Sequence, residues 1–174
     1  MARNHIRQPS GRYPQPLDAL GLVISKLEAL NIPYMVGGSF ASSVYGFARS
    51  TQDADLIVKF GPERIERFIE ELREEFYVDR ALIEQALKRE TSFNIIHLKS
   101  TFKIDFFILR SRSFRQDEFS RRERHQLYPD SSFEGYWQSP EDTVLSKLDR
   151  YRAGGGISEN QWRDVIGILK NRGN

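Results

Sequence analysis

Arg49-Ser50-Thr51-Gln52-Asp53-Ala54-Asp55-Leu56-Ile57-Val58-Lys59 begins polar, turns apolar within the length of one strand, and carries two acids one residue apart. Side chains alternate between the faces of a strand, so Asp53 and Asp55 project together while Ala54 and Leu56 point into a core. No other acids among the 24 in the chain have this spacing. A third acid, Asp105, stands alone in Phe102-Lys103-Ile104-Asp105-Phe106-Phe107-Ile108. There Lys103, Asp105 and Phe107 share one face of the strand, and Ile104 and Phe106 take the other. A carboxylate flanked by Ile104 and Phe106 is costly to keep near a core without a partner. If the two strands are neighbours, the three acids meet, and their mutual repulsion calls for cations. An all-oxygen site of this kind suits Mg²⁺, and two ions there would clamp a displacement at phosphorus. Asp53, Asp55 and Asp105 are therefore the candidate metal ligands and catalytic groups. Asp105 is the candidate to orient or deprotonate an acceptor hydroxyl.

Upstream, Tyr34-Met35-Val36 reads as a short buried strand ended by Gly37-Gly38, after which Ser39 is expected to cap a helix to Tyr45, with Gly46 as its stop. Glycines between a strand and a helix start let phosphate oxygens approach backbone N–H groups, and they serve equally as a plain turn. The first helix is expected over 17–30, where Leu20, Val23, Ile24, Leu27 and Leu30 follow helical spacing. Pro62 opens an amphipathic helix to about Phe76, and a shorter helix covers 79–88. Residues 92–98 and 102–109 read as two strands joined by Lys99-Ser100-Thr101. Two helices follow, 140–152 and 158–170, separated by Gly154-Gly155-Gly156. This order predicts an α/β (α+β) domain with a small mixed sheet flanked by helices. Residues 1–16 form an extended or disordered lead-in, 17–112 the core, and 113–174 a mainly helical extension of the same domain.

The composition sets limits. The chain has 174 residues, 39% of them hydrophobic, enough to bury a core without staples. It has no cysteine, which excludes a disulfide framework, a thiolate metal site and a cysteine nucleophile. His5, His97 and His125 are scattered, so a histidine metal site is not expected. There is no apolar run long enough to span a membrane and no signal peptide at the start, so a soluble, cytoplasmic protein is expected. The net charge of +2 is too small to imply nucleic acid by itself. Its distribution is more informative: Arg110, Arg112, Arg115, Arg121, Arg122 and Arg124 crowd one short segment. Such a cluster suits bidentate grip on phosphates, with Arg115, Arg121, Arg122 and Arg124 as nucleic-acid candidates. It suits equally a solvated face laced with ion pairs.

Taken together, Gly37-Gly38-Ser39, Arg49-x-Thr51-x-Asp53-x-Asp55 and Lys103-Ile104-Asp105 resemble the signature of the DNA polymerase β-like nucleotidyltransferase superfamily. The spelling is similar to the branch holding abortive-infection (AbiEii-like) toxins and some antibiotic nucleotidyltransferases. Ser139 to Leu148 and Gln161-Trp162-Arg163-Asp164-Val165 resemble the helical motifs that follow the catalytic core in that branch. The resemblance implies transfer of a nucleoside monophosphate from an NTP to an acceptor hydroxyl, with pyrophosphate released. It implies nucleotide binding by Gly37, Gly38, Ser39 and Thr51, with Lys147 reaching the phosphates and Asp164 near the site. Arg49 is placed either to hold phosphate or to lock the loop before Asp53. Acceptors in the superfamily include RNA 3′ ends, protein side chains and antibiotics. The toxin-like spelling and the arginines favour RNA, such as the tRNA acceptor end, and leave room for a toxin–antitoxin partner. The chain is shorter than the large toxins, so a separate acceptor-binding domain is expected to be missing. Tyr151 and Trp162 are expected in the core.

Overall fold

The computed structural model describes residues 16–47, 51–111, 113–126 and 134–172. Arg49, Arg112 and the lead-in before Pro16 lie outside these residues. In chain order the elements are α1 (Pro16–Ala29), β1 (Tyr34–Val36), α2 (Gly38–Tyr45), β2 (Asp53–Val58), α3 (Ile65–Leu72), β3 (Phe76–Val78), α4 (Arg80–Arg89), β4 (Ser92–His97) and β5 (Lys103–Ile108). They continue with α5 (Ser113–Ser120), β6 (Glu123–Gln126), β7 (Glu134–Trp137), α6 (Pro140–Ala153) and α7 (Glu159–Arg172). The strands form one mixed sheet in the order β3-β4-β5-β2-β1-β7-β6. β2 runs parallel to β5 and β1 parallel to β7, and the remaining pairs are antiparallel. The expected mixed α/β class holds.

One face of the sheet is the core. Ala54, Leu56 and Val58 of β2, Ile104 and Phe106 of β5, and Phe93 and Ile95 of β4 are buried there with Leu20, Val23, Ile24 and Leu27 of α1 and Phe68 and Leu72 of α3. Phe93 and Phe106 stack at 4.9 Å, and Phe68 meets both edge-on. Each such ring contributes about 1.5–3 kcal/mol on burial, so the floor beneath the acids is rigidly backed. Among the described residues, no helix is long and apolar enough to cross a membrane.

Three strands depart from the sequence reading. The preceding helix is expected to run to about Phe76, with no strand at 76–78. Instead α3 stops at Leu72 after a 3₁₀ turn at Pro62–Arg64, and β3 pairs with β4 while Phe76 packs on His97. β6 and β7 lie in the stretch expected to be mainly helical, and they widen the sheet to seven strands through Val36↔Trp137. β6 is Glu-Arg-His-Gln, an edge strand with no apolar alternation for a sequence pattern to register. Ser39 does not cap α2: the helix already begins at Gly38, with Gly37 as a cap that makes no side-chain hydrogen bond. The positive φ of Gly38 (61°) turns the chain into the helix one residue early. Ser39 instead offers its carbonyl to the Ser42 and Ser43 hydroxyls. Gly46 ends α2 as expected, and a Cβ there would strike the backbone of α7 at Ile168.

Candidate active site

The acids project from the sheet face opposite the core. β2 and β5 are in register, Asp53↔Lys103 and Asp55↔Asp105, so Asp55 and Asp105 are directly opposed on neighbouring parallel strands. Such strands lie about 4.8 Å apart. Exposure alternates along both strands as a half-open face requires, with Ala54 and Ile104 buried and the acids outward. β4 continues the row, because Asn94 pairs with Asp105 in the antiparallel register.

Above this row, β1 passes into α2 at the glycine turn. The Gly37 N–H donates to the Asp55 carbonyl at 2.9 Å, extending the β1–β2 ladder to the acid itself. Gly38 lies against the Asp55 carboxylate, so that a Cβ there would overlap Oδ2. Two requirements therefore coincide at Gly38: the positive φ and the space that Asp55 fills. Gly38→Ala is expected to destabilise the fold by more than about 1 kcal/mol and to displace Asp55. A denaturant titration checks the first effect, and a crystal structure of the variant checks the second.

A cavity of about 470 Å³ opens beside Asp55, bordered also by Gly38, Phe107, Lys147 and Arg150. Its size is that of a small-molecule site. Burial holds the Asp55 carboxyl above its ordinary range; Arg150 opposes the rise, and the charges of Asp53 and Asp105 add to it. Arg150 Nη1 lies 3.5 Å from Asp55 Oδ2, and Lys103 Nζ lies 2.8 Å from Asp105 Oδ2. The hydrogen bond to Asp105, above all, raises the Lys103 pKa. Thr51 donates to the Asp53 carbonyl at 3.0 Å and approaches its carboxylate at 3.4 Å, steadying the strand entry.

The donor set fits a hard divalent cation, being all oxygen, on one face and opposed in register. Among the described residues, however, no three such groups converge as a ready-made ligand cluster. Asp55 and Asp105 face Arg150 and Lys103 instead, the cheapest relief for crowded carboxylates.

Lys147 borders the cavity, but its side chain is 2% exposed and its ammonium bonds Asp164 Oδ2 at 2.7 Å. Ser42 of α2 donates to the same oxygen at 3.1 Å. Lys147, expected at the phosphates, and Asp164, expected near the site, tie α6, α7 and the helix after the glycine turn into one block.

The arginine cluster is divided among internal partners. Arg115 pairs with buried Glu118 at 2.6 Å, and Arg121 grips buried Asp142 with two bonds of 2.7 and 3.1 Å. Arg122 lies over the Phe119 and Tyr136 rings, and Arg124 bonds Glu134 at 3.2 Å. Tyr151 and Trp162 were expected in the core. They pair with each other at 5.5 Å, with Trp162 half exposed, because α6 and α7 turn that edge outward.

Sequence reasoning passed over Arg150, Asn94 and the counter-ion role of Lys103. Lys103 does share a face with Asp105 in the sequence pattern. Asn94 and Arg150 are indistinguishable from ordinary surface residues until β4 and α6 are docked.

The mixed sheet of this chain, with two acids on one strand, a third on its parallel neighbour and a glycine turn into a helix, has the fold of nucleotidyltransferase-like proteins of known structure. A nucleotidyltransferase-like antigenic protein from Paracoccidioides brasiliensis superposes with a TM-score of 0.60 at 18% identity, covering 89% of this chain and 75% of that one. The lincosamide antibiotic adenylyltransferase LnuA, in its lincomycin-bound structure, superposes with a TM-score of 0.56 at 14% identity, covering 86% of this chain and 94% of that one. No protein-family model and no curated protein matches the sequence.

Proposed function

We propose that this protein is a nucleotidyltransferase that moves a nucleoside monophosphate from an NTP to an acceptor hydroxyl. The observation that carries this reading is the Asp55↔Asp105 register, with Asp53 on the same face and Gly38 packed on Asp55. In the reaction the acceptor oxygen attacks the α-phosphorus, the bond from that phosphorus to the bridging oxygen breaks, and pyrophosphate leaves. Asp105, opposite Asp55 on β5, orients the acceptor hydroxyl and takes its proton. Asp53 and Asp55 hold Mg²⁺ with Asp105, and when bound the metal supplies charge neutralisation and a more acidic hydroxyl. The glycine turn brings backbone N–H groups at the start of α2 toward the phosphates.

For the acceptor, a small hydroxylated molecule such as an antibiotic is the better-supported reading. Arg115, Arg121 and Arg124, though half exposed, are paired with carboxylates of this chain and Arg122 lies over the Phe119 ring, so their charge is partly offset before a nucleic-acid backbone arrives. LnuA, similar over most of its length, is named for adenylyl transfer to such a molecule. RNA or tRNA, with a toxin–antitoxin setting in the cytoplasm, is the alternative.

Incubation with each labelled NTP and Mg²⁺, against an antibiotic panel and total tRNA, tests both readings. Label is expected on an antibiotic and is expected to vanish with EDTA. Label on tRNA instead would select the alternative. Failure of the protein to bind any metal–NTP would remove the enzyme reading.

A further inference from the structure

The two opposed acids face different cations, and the two pairs are not equivalent. Lys103 and Asp105 stand two apart on β5, so their contact is local to one strand face. Arg150 meets Asp55 across 95 residues, and only because α6 docks over the sheet. The Arg150 contact is a single one of 3.5 Å from a side chain 52% exposed. Pairs of that kind are weak and easily exchanged. Arg150 also stands on the wall of the cavity that Gly38 and Asp55 border. A guanidinium fork there matches phosphate oxygens in geometry and charge.

We propose that Arg150 is an exchange residue for the triphosphate: it screens Asp55 in the ligand-free protein and transfers to the phosphates when Asp55 takes a divalent cation. This rests on the nucleotidyl-transfer reading above. It assigns Arg150 opposite effects on two ligands. Toward the metal alone it is a competitor, because both claim the Asp55 charge. Toward the metal–nucleotide complex it is a ligand. A merely structural arginine would weaken both or neither. Arg152, two residues on and highly exposed, does not border the cavity and serves as a charge-matched control.

The test is calorimetric binding of Mn²⁺ alone, then of Mn²⁺ with each of the four common NTPs, to wild type, Arg150→Met, Arg150→Lys, Arg152→Met and Asp55→Asn, each checked for a cooperative melt. Arg150→Met is expected to bind Mn²⁺ alone about three- to tenfold more tightly and Mn²⁺–NTP about tenfold more weakly, the scale of one nearby charge. Arg150→Lys is expected to recover part of the nucleotide affinity, and Arg152→Met to match wild type. Arg150→Met behaving as wild type, or weakening both ligands alike, overturns the proposal while Asp55→Asn still loses binding. Asp55→Asn binding both ligands as wild type does overturns the nucleotidyl-transfer reading itself, and the role of Arg150 with it.

Discussion

Asp55→Asn is expected to abolish nucleotidyl transfer while making the metal-free protein more stable. On the proposed reading the loss in kcat is at least about a thousandfold, the scale of a few kcal/mol of transition-state stabilisation. Asp53→Ala and Asp105→Asn belong to the same class. The gain in stability follows from the environment of Asp55. Burial holds its carboxyl above the ordinary value of 3.8, with repulsion from Asp53 and Asp105 adding to the rise and Arg150 opposing it. A group whose folded pKa is raised contributes stability below its unfolded pKa and loses it as the pH climbs through the folded value. At neutral pH the ionised Asp55 therefore costs stability that an amide does not. In EDTA at neutral pH, Asp55→Asn is expected to raise Tm by about 2–4 °C, the shift that ~1 kcal/mol produces in a chain of this size. The gap between variant and wild type should close as the pH is lowered toward 3.8. Full activity in the variant would remove the central claim, and a lower Tm at neutral pH would show that the Arg150 contact outweighs burial.

Lys147→Met is expected to be among the most destabilising single changes in the molecule. It leaves the Asp164 carboxylate, 4% exposed, without the ammonium now 2.7 Å away. Removing one partner of a buried pair costs about 3–5 kcal/mol, which lowers Tm by about 6–20 °C in a chain of this length. Replacing both partners is different. Lys147→Met with Asp164→Leu takes the carboxylate away together with its ammonium and is expected to regain part of the loss, since Ser42 keeps its bond to the Ser39 carbonyl. That double variant also decides what Lys147 does. If it serves only to lock α6 against α7, the double variant binds NTP with unchanged KM. If it also reaches phosphate, as the resemblance implies, KM rises at least about tenfold, the effect of losing one charge-assisted bond. Thermal melts and initial rates on the same preparations separate the two.

The acid strands were legible because period-two alternation is local. Asp53-Ala54-Asp55 and Lys103-Ile104-Asp105 declare their faces without knowledge of any partner. The parts that were missed depend on pairing at a distance. β3 is three residues long and exists because β4 offers it an edge, while β6 carries four polar residues that are set in register by β7. The arginine cluster shows the same limit in charge. Its density is visible in the sequence, but whether a guanidinium faces solvent phosphate or a buried carboxylate depends on where Glu118 and Asp142 lie, and helix packing alone sets that.

Chain order alone, through strand alternation and the glycine turn, determined that three acids would face away from a core beside a strand-to-helix bend. Tertiary structure decided what those acids meet. It set Asp105 opposite Asp55 in a parallel register, folded Gly38 onto the carboxylate, brought Arg150 across from α6 and turned Lys147 inward to Asp164. The division has a physical cause: alternation is written into backbone geometry residue by residue, whereas the partner of a charge is chosen by packing between elements far apart in the chain.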